Sequence, residues 1–326
     1  MISIAGNAKN AGKTTVLNAL IAAHRGDALG VSSIGLDGEA LDTVSMLPKP
    51  SIHLDAGSLV ASAMDCVMAS EAALDVIGRS QVQTGLGEIV YARVKEPGAC
   101  LVAGPSTVQG MEQAVGQLKA MGAGKVFIDG AFARASHALS ADGLVFVVGA
   151  HDGTQMSQVV DKARLQIQRF SLKEADEGFQ FLENEHCLGW LEADLTFHPL
   201  HLSSALGQEE RLIDALPKQA RWLWLPGALS PAFARAFVKR RGDHGCGIVL
   251  RSPLALVAEG RELKNLFLLD RPLRVLTGLW LAFVALNPFS PAGHRFDAAM
   301  FKDAMGQATD LPLINVLEDT DFENRQ

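Results

Sequence analysis

The stretch Gly6-Asn7-Ala8-Lys9-Asn10-Ala11-Gly12-Lys13-Thr14-Thr15 follows the short apolar run Ile2-Ser3-Ile4-Ala5 and precedes a segment in which Val16, Leu17, Leu20 and Ile21 share one helical face. The run reads as a buried strand and the 14–23 spacing as an amphipathic helix. A turn from strand to helix aims the helix's first amides at one point, and that point suits a phosphate group. Lys13 is then placed to neutralise β- and γ-phosphate charge and the Thr14 hydroxyl to ligate Mg²⁺. Gly6, Asn7, Lys9, Asn10, Ala11, Gly12, Lys13, Thr14 and Thr15 form the expected nucleotide cradle. In the G-x-x-x-x-G-K-[ST] spelling the first glycine falls at position 7, where this chain has Asn7, with glycine one residue earlier. Asn enters positive φ more readily than most residues, so the turn can still close. The plainer alternative is a glycine-containing turn with a solvated lysine.

Working outward, apolar runs at 29–34, 89–94, 100–103, 126–128 and 144–148 alternate with helical patterns at 108–121 and 155–170. That alternation predicts an α/β fold: a P-loop NTPase-like, mainly parallel sheet flanked by helices. The polar stretch 173–180 is the expected linker between a nucleotide-binding domain, 1–172, and a second α/β half, 181–326, of partner-binding or substrate-binding role. In that half, 222–225, 248–250, 265–269, 273–276, 280–286 and 313–316 are strand-like, with helices near 230–239 and 298–305.

A phosphate loop needs acids to position Mg²⁺ and water. Asp129 ends the run Lys125-Val126-Phe127-Ile128 and precedes Gly130, the display expected of a metal-side carboxylate at the edge of a parallel sheet, or equally of a helix N-cap. Ser33-Ile34-Gly35-Leu36-Asp37-Gly38-Glu39 offers Asp37 and Glu39 to the same metal, or is an acidic turn. Lys13, Asp37 and Asp129 are therefore the catalytic candidates, and Thr14, Asp37, Glu39 and Asp129 the Mg²⁺ candidates. Lys49 between two prolines, Gly104 and Ser106 in Ala103-Gly104-Pro105-Ser106-Thr107, and Asn287 and Ser290 in the turn-rich 287–293 stretch are candidates for substrate or partner contact. His198 with His201, and His244 with Cys246, lack the further ligands that a zinc site needs. No Gly-x-Ser-x-Gly elbow occurs, and Gly85-Leu86-Gly87 reads as a turn before the 89–94 strand.

The 326 residues are 48% hydrophobic, enough for a sizeable core, and carry 29 Lys and Arg against 36 Asp and Glu. The acidic balance argues against a nucleic-acid partner. Cys66, Cys100, Cys187 and Cys246 show no paired spacing, which fits a reducing compartment. The amino terminus has no secretory leader pattern, and the apolar run 275–286 falls short of the roughly 20 residues that span hydrocarbon, so a soluble, cytoplasmic protein is expected, with no membrane partner.

These motifs resemble a family, the P-loop reactivating proteins of adenosylcobalamin-dependent amino-acid aminomutases such as lysine 5,6-aminomutase and ornithine aminomutase. The resemblance runs over most of the chain. It rests on 6–15, on 33–39, on Pro48-Lys49-Pro50 followed by an apolar strand and Gly57, on Ala103-Gly104-Pro105, on Ile128-Asp129-Gly130-Ala131 with Arg134, and on 287–293 with Phe296-Asp297. The chain departs from the family pattern at Leu36, where an arginine belongs nearby, and at Ala133, near an acidic position. The resemblance implies an ATP- and Mg²⁺-dependent subunit that helps damaged cobalamin leave its mutase. Its implied partners are the aminomutase and a MutS-like ATPase subunit, in a hetero-oligomer. The competing expectation is a carboxylate–amine ligase of the dethiobiotin or cobyrinate synthetase type, with Lys49 and the 106–107 hydroxyls on substrate. A GTP-using metal chaperone is disfavoured, since no His or Cys cluster and no Asn-Lys-x-Asp string accompany the loop.

Overall fold

The structure is a computed structural model that describes residues 1–6, 11–34, 51–130, 139–200, 202, 205–240, 245–269 and 271–315. In chain order it runs β1 (Ile2–Gly6), α1 (Lys13–Ala23), β2 (Leu29–Ser33), β3 (Ile52–Leu54), β4 (Leu59–Ala63) and α2 (Met64–Met68). Next come β5 (Ala73–Thr84), β6 (Gly87–Glu96), β7 (Gly98–Cys100), α3 (Val108–Ala120), β8 (Lys125–Asp129), β9 (Gly143–Gly149) and α4 (Met156–Phe170). The chain continues through β10 (Gly189–Leu191), β11 (Phe197–Pro199), α5 (Glu209–Asp214), β12 (Trp222–Leu225), α6 (Pro231–Lys239), β13 (Gly247–Leu250), α7 (Gly260–Phe267) and β14 (Leu273–Val275). It closes with β15 (Leu281–Asn287), α8 (Ala298–Gly306) and β16 (Leu313–Asn315).

These elements form two compact units, Met1–Val160 with Leu281–Gln326, and Asp161–Trp280. The larger unit carries a nine-stranded sheet in the order β16-β15-β9-β1-β8-β2-β4-β6-β5. From β16 to β4 neighbouring strands are parallel, while β6 and β5 add an antiparallel edge, so the sheet is mixed. The fold is therefore α/β with a large mixed sheet flanked by helices.

Burial explains the layering. All seven residues of β9 are buried, as a central parallel strand covered on both faces requires. Alternation along β8 sends Phe127 to one face, against Val16, Leu17, Leu20 and Ile21 of α1. It sends Val126 and Ile128 to the other, against Met111, Ala114, Val115 and Leu118 of α3. Helix α3 starts where the Thr107 side chain accepts a hydrogen bond from the Gly110 N–H at 3.1 Å.

The smaller unit holds a second sheet, β11-β10-β12-β13-β14, in which β12, β13 and β14 are parallel. Its core gathers Leu223, Ile248 and Leu250 with Phe233 and Phe237 of α6 and Leu263 and Leu266 of α7.

Several expectations need correction. Residues 265–269 are not a strand: α7 runs to Phe267, burying Leu263 and Leu266 one helical turn apart and leaving Leu268 exposed. The strands expected at 280–286 and 313–316, observed as Leu281–Asn287 and Leu313–Asn315, do not join the second half. As β15 and β16 they extend the first sheet, because β15 is apolar enough to lie buried beside β9. The stretch 173–180 is not a free linker, since Ala175 N–H donates to the Val275 carbonyl at 2.8 Å and Phe179 is buried. The strand expected at 100–103 ends at Cys100 and, among the described residues, pairs with β3 alone. Strand β5 went unread; its exposed alternate residues, among them Asp75, Arg79 and Gln83, carry the polar face of an edge strand. Among the described residues no helix is long and apolar enough to cross a membrane.

Two outcomes follow from this packing. Thr107→Ala removes the α3 cap and should lower unfolding free energy by about 1 kcal/mol, read as a shifted urea midpoint at unchanged slope. Burial pushes the Cys100 and Cys246 thiols up to about 11 and raises Cys66 as well, whereas Cys187 is only partly covered. A thiol dye at pH 8 should therefore label one cysteine rapidly, Cys187, and the other three only after denaturation. Because the raised groups stay protonated in the folded state, stability is full below the ordinary thiol range and falls as pH rises through it toward 11.

Candidate functional site

The turn between β1 and α1 stands at the carboxyl edge of the larger sheet, with β8 on one side of β1 and β9 on the other. Its last residue before the helix, Gly12, is left-handed, with φ 103° and ψ 19°, and offers no side chain to cap α1. Among the described residues no side chain caps α1, and its own ladder begins with Val16 N–H to the Gly12 carbonyl at 3.0 Å. The aliphatic part of Lys13 folds back toward the strand: a Cβ built on Gly6 would lie 3.4 Å from Lys13 Cγ.

Neighbouring strand ends clasp this turn from one side. Asn287, at the end of β15 and buried, donates from Nδ2 to the Ala11 carbonyl at 3.3 Å and accepts the Phe289 N–H at Oδ1. Any side chain at Gly12 would overlap the Asn287 amide. Gly149, ending β9, comes so close that a Cβ there would lie 2.6 Å from the Ala11 carbonyl oxygen. Asn287, expected as a substrate or partner contact, is thus a strut of the turn.

On the other flank stands Asp129. Its Oδ2 accepts a hydrogen bond from the Thr14 hydroxyl at 3.2 Å, and its backbone carbonyl accepts the Ile34 N–H at 2.9 Å. The pairing follows from register: Ile4 lies opposite Asp129 in the parallel β1–β8 pair, so the ends of both strands face the start of α1. Thr14 and Asp129 are hard oxygen donors of the kind Mg²⁺ takes alongside waters. One strand further, Gly104 N–H donates to Ser33 Oγ at 3.1 Å, and Ser33 Oγ donates to the Val102 carbonyl at 2.9 Å. The 103–107 loop is thereby tied to the end of β2.

The remaining expected residues fall as follows. Asn7, Lys9, Asn10, Asp37, Glu39 and Lys49 lie outside the described residues. Ala11 is fully buried and Thr15 half-buried in the first turn of α1. Ser106 is exposed on its loop, and the side chain of its neighbour Thr107 accepts the Gly110 N–H at the α3 N-cap. Ser290 is buried within its own loop, donating N–H to the His294 carbonyl at 3.0 Å and accepting the Ala292 N–H at Oγ. Among the described residues no three His, Cys, Asp or Glu side chains form a metal cluster.

Sequence reading missed Gly149, which shows only as the end of an apolar run, and Ser33, read as the start of an acidic loop. It also missed His151 and His294 on the adjoining edge. His151 Nδ1 is 3.4 Å from Ser290 Oγ, and His294 Nε2 is 2.7 Å from the Ala150 carbonyl. No motif announces contacts made across 140 or so residues of chain.

Gly12→Ala must carry both a left-handed alanine and an overlap with Asn287, and should cost more than the roughly 1–2 kcal/mol of the backbone penalty alone, measured by urea unfolding. Combining it with Asn287→Ala should return part of that loss. If the double variant is no more stable than Gly12→Ala alone, the overlap is not a source of the cost.

Comparison with known proteins finds no family model, no curated protein and no solved structure that matches the chain.

Proposed function

We propose that the larger unit is a P-loop NTPase-like domain that binds and hydrolyses Mg²⁺–ATP at the β1–α1 turn. The observation that carries this reading is the 3.2 Å contact between Thr14 Oγ1 and Asp129 Oδ2 in the first turn of α1, at the carboxyl ends of β1 and β8. Thr14 and Asp129 are the residues that would hold Mg²⁺, which when bound supplies charge neutralisation to the phosphate oxygens. The α1 amides orient those oxygens, the Lys13 ammonium offsets their charge, and Asp37 or Glu39 is proposed to position the attacking water.

The resemblance to aminomutase reactivating proteins extends the proposal to a nucleotide-driven subunit that opens an aminomutase to cobalamin exchange, working with a MutS-like ATPase partner in the cytoplasm. Binding of the γ-phosphate would order the 37–39 loop and hydrolysis would release it. The ligase alternative draws less support, because the Thr107 hydroxyl it would place on substrate is engaged at the α3 cap.

Calorimetry tests the first step. Lys13→Ala and Asp129→Asn should keep the far-UV spectrum and lose Mg²⁺–ATP affinity by tenfold or more, the loss of a charge-assisted contact of roughly 1.5–3 kcal/mol. Unchanged binding in both variants overturns the nucleotide reading. The second step is tested with an inactivated aminomutase, ATP, Mg²⁺ and fresh adenosylcobalamin. Rescue should require this chain and fail with Lys13→Ala, whereas hydroxylamine trapping of an acyl phosphate would favour the ligase.

A further inference from the structure

At the amino-terminal edge of the smaller unit's parallel strands three arginines meet. Arg221 immediately precedes β12, Arg271 lies two residues before β14, and Arg240 ends α6. Sheet register joins the first two to the start of β13, since Gly247 N–H donates to the Arg221 carbonyl at 2.8 Å and Ile248 N–H to the Pro272 carbonyl at 2.9 Å. Arg271 Nη2 donates to the Arg240 carbonyl at 2.9 Å and lies over the Phe237 ring at 5.0 Å. Arg240 Nη2 donates to the Leu216 carbonyl, just beyond α5, at 3.3 Å.

Those two bonds explain part of the cluster, for cations sit well on the carbonyls at helix carboxyl ends. They do not explain the rest. Arg240 Nη1 is buried and has no hydrogen-bond partner. Arg221 is exposed and has no side-chain bond among the described residues. None of the three guanidiniums is ion-paired among those residues, although the chain carries a net charge of −7. Buried Cys246, beside them, has a thiol pushed up by burial and pulled back down by Arg271, Arg240 and Arg221, so all three fields converge on that point. Like charges gathered around the buried Arg240 Nη1, which has no hydrogen-bond partner, and with no carboxylate paired to them among the described residues, are the arrangement an anion completes.

We propose that Arg221, Arg240 and Arg271 form an anion-binding site for a phosphoryl group, free or borne on a larger molecule. Guanidinium forks match phosphate oxygens two at a time, and a polyanion of tetrahedral groups can meet donors arriving from three separate elements, which a single planar carboxylate cannot. The site draws on no residue of the nucleotide turn, so either proposal can fail without the other.

The test uses the full chain carrying Lys13→Ala, which silences the amino-terminal turn, titrated with inorganic pyrophosphate by calorimetry at fixed ionic strength. Binding at one site is expected, weakened roughly tenfold by Arg221→Met and by Arg240→Met, with Arg240→Lys falling between. Arg221 is exposed, so its variant keeps the test decisive should Arg240→Met fail to fold. A phosphate monoester binding more tightly than inorganic phosphate places the group on a larger molecule, and equal binding assigns the free ion. Heat no greater than that of a chloride control, affinity indifferent to Arg221→Met, or citrate binding in preference to pyrophosphate overturns the assignment.

Discussion

The short backbone segment from Ala11 to Thr14 is held by contacts on both sides, and the rest of the site depends on them. Asn287 takes the Ala11 carbonyl, Gly149 lets that carbonyl come within contact of β9, and Thr14 reaches Asp129 on β8. Gly12 can turn left-handed in this space because it has no Cβ. A strand-to-helix turn with uncapped amides is otherwise poorly determined, for its donors have no intrahelical partners. Here three strand ends fix its direction, the preorganisation that the proposed phosphate binding would need.

That clasp needs β1 in the middle of the sheet. Ile4 and Val31 share a face with Phe127 and Val145 over α1, and Val126 and Ile128 cover the opposite face with α3, so the carboxyl ends of β8, β1 and β9 are packed from both sides. At roughly 25 cal/mol per Å² of apolar surface, a fully buried Phe127 contributes about 2–3 kcal/mol. Strand positions set this way do not drift by a residue, because a one-residue slip would turn Phe127 toward α3. Precision at the turn is therefore borrowed from the apolar layers beneath it.

In the smaller unit the same parallel arrangement concentrates charge at the opposite end of the strands. Arginines there meet helix carboxyl ends, where carbonyls without partners attract cations, and the packing leaves one N–H of Arg240 buried without an acceptor. Arg251, by comparison, is fully accounted for: its three nitrogens reach the carbonyls of Pro226, Glu183 and Glu185. Two arginine environments within one unit thus contrast a residue whose three nitrogens are all engaged with one whose buried Nη1 has no hydrogen-bond partner.

How much of this could be read from the chain follows from the range of each interaction. The β1–turn–α1 unit, the buried strands β8 and β9, and the placing of Asp129 after an apolar run depend on neighbours within a few residues, so local pattern determined them. Strand β5 escaped because an edge strand has little apolar signal, and 265–269 was misread because a short apolar run suits strand and helix alike until its burial is known. Only the tertiary structure decided that β15 returns to lie beside β9 and bring Asn287 onto a carbonyl 276 residues away in sequence, that Thr107 serves a helix, and that Arg221, Arg240 and Arg271 come together. Such contacts are selected by the burial of whole strands and helices against one another, a free energy that no short stretch of sequence contains.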